Sequence, residues 1–318
     1  MENKYIKFYV SALLFSWLAW VPYGASRAGI IDIIVPWEIV LIGQFGPSLV
    51  AVIFVIAEHG MPSFRKFLKE SFQLGINWKY YLVSILTAPA IALLLIAIYK
   101  ACGAESPSFQ ELANWPGLYA LDYGSGGPYT MSGELVPNIG FVEGVKGLVD
   151  NGPLIASAIF IALTLITGPL SEELGWRGYL LPGLLDKWSP LKSSVIIGLL
   201  WGWWHTGPDF WQFVFEGKIE AFLYPIGITL GTLPLSILFT WLFLKSKASL
   251  IPVMLFHASF NATLYILNLV WTTQHPLIIG GQLILGLWII SFFIVRKSKI
   301  MGSNWIAKKE DNRNSIER

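Results

Sequence analysis

Eight apolar stretches, set apart by polar or charged residues, constrain this chain more than any other feature. They are Tyr5–Tyr23, Ile39–Ala57, Tyr80–Ile98, Pro153–Leu170, Leu191–His205, Phe222–Leu244, Leu250–Leu269 and Leu277–Val295. A hydrocarbon layer roughly 30 Å thick takes about 20 apolar helical residues to cross. The fifth stretch is the shortest and runs at once into Gly207-Pro208. In lipid, every backbone N–H and C=O has to find its partner inside the protein, so runs of this kind fold as helices. The expected fold is all-α, a polytopic membrane helix bundle of about eight transmembrane helices. Composition agrees, because only 13% of the 318 residues are charged against about 25% in a soluble domain. The first run follows Lys4 and Lys7 as a secretory signal would. Its apolar part is long and seven more runs come after it, so it reads as a retained span.

Charge orients the bundle. With the N-terminus inside and the eight spans alternating, 18 of the 22 basic residues fall on the inner side. Only Arg27, Lys100, Lys146 and Lys218 fall outside. Cytoplasmic loops carry such an excess of Lys and Arg, so both termini are expected in the cytoplasm. Three regions follow: N-terminal helices with a long extracytoplasmic loop (1–150), a central membrane core (151–270), and a last span with a basic tail (271–318). The long connection, residues 101–152, is acidic and rich in Gly, Pro and Tyr, as a solvated loop would be. The net charge of +2 gives no reason to expect a nucleic-acid partner, and Cys102, the only cysteine, excludes an intrachain disulfide.

Ionisable residues within spans are costly and usually face the bundle interior. Three segments carry polar groups of this kind. "GPLSEELGWRGYLLP" holds Glu172, Glu173 and Arg177; "GLLWGWWHTGP" ends on His205; "PVMLFHASFNATLY" holds His257 and Asn261. On a helix Glu173 and Arg177 are i, i+4 neighbours and can pair. Glu172 is rotated about 100° from Glu173 and is free to face a cavity. His257 and Asn261 share a face, and so do Trp201 and His205, where the indole can wall the imidazole. Gly168-Pro169 should loosen the helix just before the carboxylates. Blander roles exist for each group: snorkelling for the carboxylates, interhelical hydrogen bonds for the histidines and Asn261. On three separate spans, however, they amount to a base, two proton-handling groups and an amide donor.

The three segments, EExxxR, aromatic-xxx-His and HxxxN in this order on successive membrane helices, resemble the CAAX prenyl endopeptidase and bacteriocin-processing (CPBP, or Abi) family. The likeness centres on residues 154–269, and Trp201 stands where that family more often has phenylalanine. It implies a catalytic core in region 151–270, with Glu172 as general base on a water assisted by His205. It also implies that His257 and Asn261 donate to the oxyanion, leaving Glu173–Arg177 as a structural ion pair. The implied function is an intramembrane endopeptidase for membrane-associated substrates, prenylated or leader-bearing, in an integral multi-pass protein. Two forms of the chemistry stay open. A metal-free glutamic mechanism is favoured; the zinc form would use Glu172, His205 and His257 as ligands. A non-catalytic binding or immunity protein and a transporter are the alternatives from other classes, and a transporter should show paired broken helices in two repeats.

Overall fold

The computed structural model describes residues 3–36, 38–103, 166–270 and 276–302. Every regular element among them is helical. In chain order they are α1 (Asn3–Arg27), α2 (Glu38–Gln44), α3 (Gly46–Ser71), α4 (Trp78–Ala101), α5 (residues 166–185), α6 (Pro190–Trp204), α7 (Gly207–Phe215), α8 (Glu220–Lys245), α9 (Ile251–Val270), α10 (Pro276–Lys297) and α11 (Lys299–Gly302). Helices α1, α3, α4 and α8, together with Gly280–Lys297 of α10, are long and apolar enough to cross a membrane, and Ile251–Leu264 of α9 is a shorter apolar helix. The protein is therefore a polytopic helical membrane protein. The expected span Leu191–His205 is α6, a helix of 15 residues. The expected span Pro153–Leu170 lies outside the described residues up to 165, as do the loop from 104 onward and the tail after 302.

The second span differs from its sequence expectation. Its helix begins at Gly46, with Pro47 in the first turn, rather than at Ile39. The residues before it form the separate short helix α2. The start obeys local chemistry, because proline at the first helical turn forfeits an N–H that would have no intrahelical partner anyway. The helix also runs on past Ala57 to Ser71, broken only at Gly60, whose φ of 73° is left-handed. Beyond that break Arg65, Lys66 and Lys69 are exposed while Phe64, Phe67 and Leu68 are half-buried, as on a helix lying along an interface.

Prolines inside spans expose how the bundle closes. Pro89 has no N–H to give the Ile85 carbonyl one turn back. That carbonyl accepts instead from Ser259 Oγ of α9 at 2.7 Å. Pro234 likewise abandons the Leu230 carbonyl, which takes the Trp288 indole N–H of α10 at 2.9 Å. Each orphaned acceptor is filled by a neighbouring helix, as apolar surroundings demand.

Small residues bring α6 and α8 together. A Cβ on Gly202 would lie 2.7 Å from the Thr229 and Thr232 hydroxyls, and one on Gly198 would lie 3.1 Å from the Leu233 Cα. Across the seam Thr232 Oγ1 donates to the Gly198 carbonyl at 2.9 Å and Ser236 Oγ to the Ser194 carbonyl at 2.8 Å. Close backbone approach at a Gly-xxx-Gly spacing, reinforced by hydroxyls, is how helices associate without a hydrophobic driving force. This seam fixes α6, and with it Trp201 and His205. Helix α5 in turn packs along α3, where a Cβ on Gly175 would strike the Pro47 carbonyl.

Candidate active site

The carboxylates sit where the helix is least regular. Within α5, the π-helical turn Ile166–Leu170 leads into the tight turn Ser171–Glu173. A second π-helical run, Leu174–Leu180, follows before Leu181–Leu185. Such wide turns are frequent at functional sites. Hydroxyls take up the carbonyls they loosen: Ser171 Oγ donates to Gly168 O and Ser48 Oγ to Leu170 O, both at 2.8 Å. The loosening expected at Gly168-Pro169 is thus present, and it extends past the carboxylates.

Glu172 and Glu173 point to different helices, as their 100° offset requires. Glu172 is buried and faces α6: Trp201 Nε1 donates to its Oε2 at 2.5 Å, and His205 Nε2 lies 3.4 Å from the same oxygen. Glu173 is fully buried and faces α9. Arg177 Nη1 donates to both of its oxygens, at 3.0 and 3.1 Å, and His257 Nδ1 lies 2.9 Å from Oε1. The expected pair Glu173–Arg177 therefore forms with both side chains out of solvent. The contact to His257 was not foreseen. A residue 84 positions away in sequence leaves no trace in local spacing, so only the fold reveals it.

Trp201 is the hub. Its ring lies 5.3 Å from the His205 ring and 5.4 Å from the His257 ring, centroid to centroid, while its N–H holds Glu172. Arg177 Cζ lies 4.4 Å from the centre of the same indole and 4.9 Å from that of Phe239, so its charge rests against two neighbouring aromatic rings as well as being paired. The wall predicted for His205 is correct, but the indole also serves as a donor. A tryptophan inside a span needs an acceptor for its N–H, and that was the available signal. His205 caps α6, because Gly207 at φ 44° turns the chain away immediately afterwards. Its ring packs on Trp204 at 4.9 Å, and its side chain keeps 34% exposure against 3% for Glu172. The His205 side is the open side of the site.

Asn261 and His257 meet the others at Gly168. A Cβ on Gly168 would lie 3.0 Å from Asn261 Nδ2 and 3.9 Å from His257 Nε2. Both nitrogens therefore look onto the bare backbone of the π-helical turn just before Glu172. The structure thus gathers Glu172, Glu173, Arg177, His205, His257 and Asn261 into one locus, and adds Trp201 and Gly168. His59 is exposed beside Glu58, away from this locus, and His275 lies outside the described residues.

Among the described residues, no three His, Cys, Asp or Glu side chains converge as metal ligands would. His257 has committed Nδ1 to Glu173, and Glu172 Oε2 already accepts the Trp201 N–H. What the arrangement offers is a buried carboxylate beside an imidazole on one side, and an imidazole Nε2 with an amide nitrogen on the other.

Residues 154–263 match the sequence model of the type II CAAX prenyl endopeptidase Rce1-like family, a stretch that contains all six of these polar residues. The chain is also 26% identical over 270 residues to the CAAX prenyl protease 2 of Methanococcus maripaludis, an alignment covering 84% of each chain. Over its membrane core, the chain is thus similar to the Rce1-like type II CAAX prenyl endopeptidase family.

Proposed function

We propose that this protein is an intramembrane endopeptidase in which Glu172 activates water without a metal. The observation that carries the reading is the split of the two carboxylates. Glu173 is consumed by Arg177 and His257, whereas Glu172 is held by a single indole beside the half-exposed His205. In the proposed step Glu172 takes a proton from water while the oxygen bonds to the scissile carbonyl carbon. The carbonyl electrons move to oxygen, and His257 Nε2–H and Asn261 Nδ2–H receive that oxyanion. Collapse breaks the C–N bond, and the proton held by Glu172 passes, with His205 assisting, to the leaving amine.

The tautomer of His257 follows from its neighbour. A carboxylate at Nδ1 accepts, so Nδ1 carries a proton, and Nε2 donates only when the ring carries both. The doubly protonated ring balances charge: with Glu172, Glu173 and Arg177 it makes a neutral set in a buried place, where uncompensated charge is expensive.

The archaeal relative is named a CAAX prenyl protease, and we assign this chain the same substrate class, a prenylated C-terminal segment of a membrane-associated protein. A leader-bearing peptide is the alternative to include in any panel. Both termini are assigned to the cytoplasm, in keeping with the exposed Lys187, Lys192, Lys245, Lys247, Arg296 and Lys297 at the inner helix ends. A reporter fused after Arg318 that behaved as extracytoplasmic would remove that assignment.

The test is cleavage of quenched prenylated and leader-bearing peptides by the purified protein, wild type against Glu172→Gln, with and without a strong zinc chelator. Activity lost in the variant and kept with chelator is the expected result. Activity abolished by chelator and restored by zinc would overturn the metal-free mechanism, and cleavage that persisted in Glu172→Gln would overturn the role of the carboxylate.

A further inference from the structure

On α2, which packs against the π-helical turn that carries Gly168, lies a polar side chain that the mechanism above leaves unused. Gln44 ends α2, and its Oε1 is buried with no hydrogen-bond partner among the described residues. A buried amide oxygen left without a donor is unfavourable, the more so inside a membrane bundle. Yet the backbone carrying it is among the most firmly tied in the molecule.

Two sets of contacts fix its position. On one side, Ser16 Oγ donates to the Gly43 carbonyl at 2.7 Å and accepts the Trp204 indole N–H at 2.8 Å. Trp204 in turn supports the His205 ring. The fit there is tight, since a Cβ on Gly43 would overlap the Trp20 indole and one on Gly46 the Ser16 hydroxyl. On the other side, α2 packs against the π-helical turn Ile166–Leu170, and Ser48, one turn beyond Gln44, donates to Leu170 O. Gln44 is therefore held between the support of His205 and the turn whose Gly168 faces Asn261 and His257. Those two flanks are the two sides of Glu172.

We infer that Gln44 binds the substrate peptide, its side-chain amide pairing with a main-chain amide of the extended segment next to the scissile bond. A glutamine amide offers one acceptor and two donors, the same complement as a peptide group. It recognises backbone rather than side chain, which suits a site that accepts varied sequences. A rigid mount at a fixed distance from the base and the oxyanion donors aligns the carbonyl for attack. This inference rests on the peptidase reading of the site, and its test separates the two.

The experiment measures binding of a fluorescent prenylated peptide to the full-length protein in nanodiscs. The Glu172→Gln background keeps the peptide intact, and Gln44 is compared with Gln44→Leu. A set of peptides in which each main-chain amide near the scissile bond is replaced singly by an ester supplies the second dimension. The expected result is about tenfold weaker binding in Gln44→Leu, with one ester position weakening binding to Gln44 protein but not to Gln44→Leu. An unfolding midpoint that does not fall in Gln44→Leu marks the loss as one of binding. Equal affinity for both proteins, absence of any ester position coupled to Gln44, or no peptide binding at all would overturn the inference. Parallel cleavage assays use otherwise wild-type protein with and without Gln44→Leu. Coupling without cleavage would sink the peptidase alone; cleavage without coupling would sink Gln44 alone.

Discussion

Replacing Gly168 by alanine should damage catalysis without damaging the fold. The added Cβ would sit 3.0 Å from Asn261 Nδ2, whereas non-bonded heavy atoms rest at about 3.5 Å or more. The amide must therefore retreat by roughly half an ångström. Losing one oxyanion donor outright costs about 10²–10³ in kcat, and a 1 Å misplacement costs on the order of 10². Half an ångström thus predicts a kcat about tenfold lower, with KM little changed. Stability should not fall, because Gly→Ala within a helix contributes about 0.5–1 kcal/mol, which offsets the local crowding. The assay is steady-state cleavage in nanodiscs for Gly168→Ala, Asn261→Ala and the double variant. Gly227→Ala serves as control, since a Cβ there meets nothing within 4 Å. Once the amide is gone, Gly168→Ala should cost almost nothing further. A tenfold loss that is the same in both backgrounds, or no loss in either, would refute the claim that this glycine exists to admit Asn261.

Three other outcomes follow from the same contacts. Arg177→Met should cost about 3–5 kcal/mol of stability by denaturant unfolding in detergent, because it strands the fully buried Glu173; a loss below about 1 kcal/mol would mean the pair is dispensable. Ser259→Ala should cost roughly 0.5–1 kcal/mol by removing the donor to Ile85 O. In a Pro89→Ala background, where the helix supplies its own N–H, that cost should vanish, and persistence would disprove the proline argument. His257→Gln, whose amide can still donate, should keep more of kcat than His257→Leu, and equal losses would exclude His257 as a hydrogen-bond donor to the oxyanion.

How much of this was legible beforehand depends on the range of the interaction. Apolar runs placed α1, α4 and α8 to within a few residues because span length is set by bilayer thickness. The second span was misplaced because its apolar character continues through Phe45-Gly46, so hydropathy alone passed over a boundary that Pro47 marks. The helical offset between Glu172 and Glu173 correctly sent one carboxylate to pairing and left the other available. What spacing cannot supply is the partner on another helix: His257 for Glu173, the Trp201 N–H for Glu172, Ser259 for the carbonyl that Pro89 abandons.

Those cross-helix partners follow one rule. In a setting without bulk water, each group that local geometry strands must be answered by a neighbour. Proline at position 89 demands a donor from α9, proline at 234 demands one from α10, and the π-helical turns of α5 demand hydroxyls at Gly168 and Leu170. The two carboxylates of α5 differ on the same accounting. Glu173 has its partners in full; Glu172 has one firm donor and an imidazole 3.4 Å away. His257 uses Nδ1 and presents Nε2 toward Gly168 beside Asn261 Nδ2. The structural carboxylate is thus closed off by Arg177 Nη1 and His257, even though Arg177 Nε and Nη2 find no hydrogen-bond acceptor and rest against aromatic rings, while Glu172 keeps an open side toward His205.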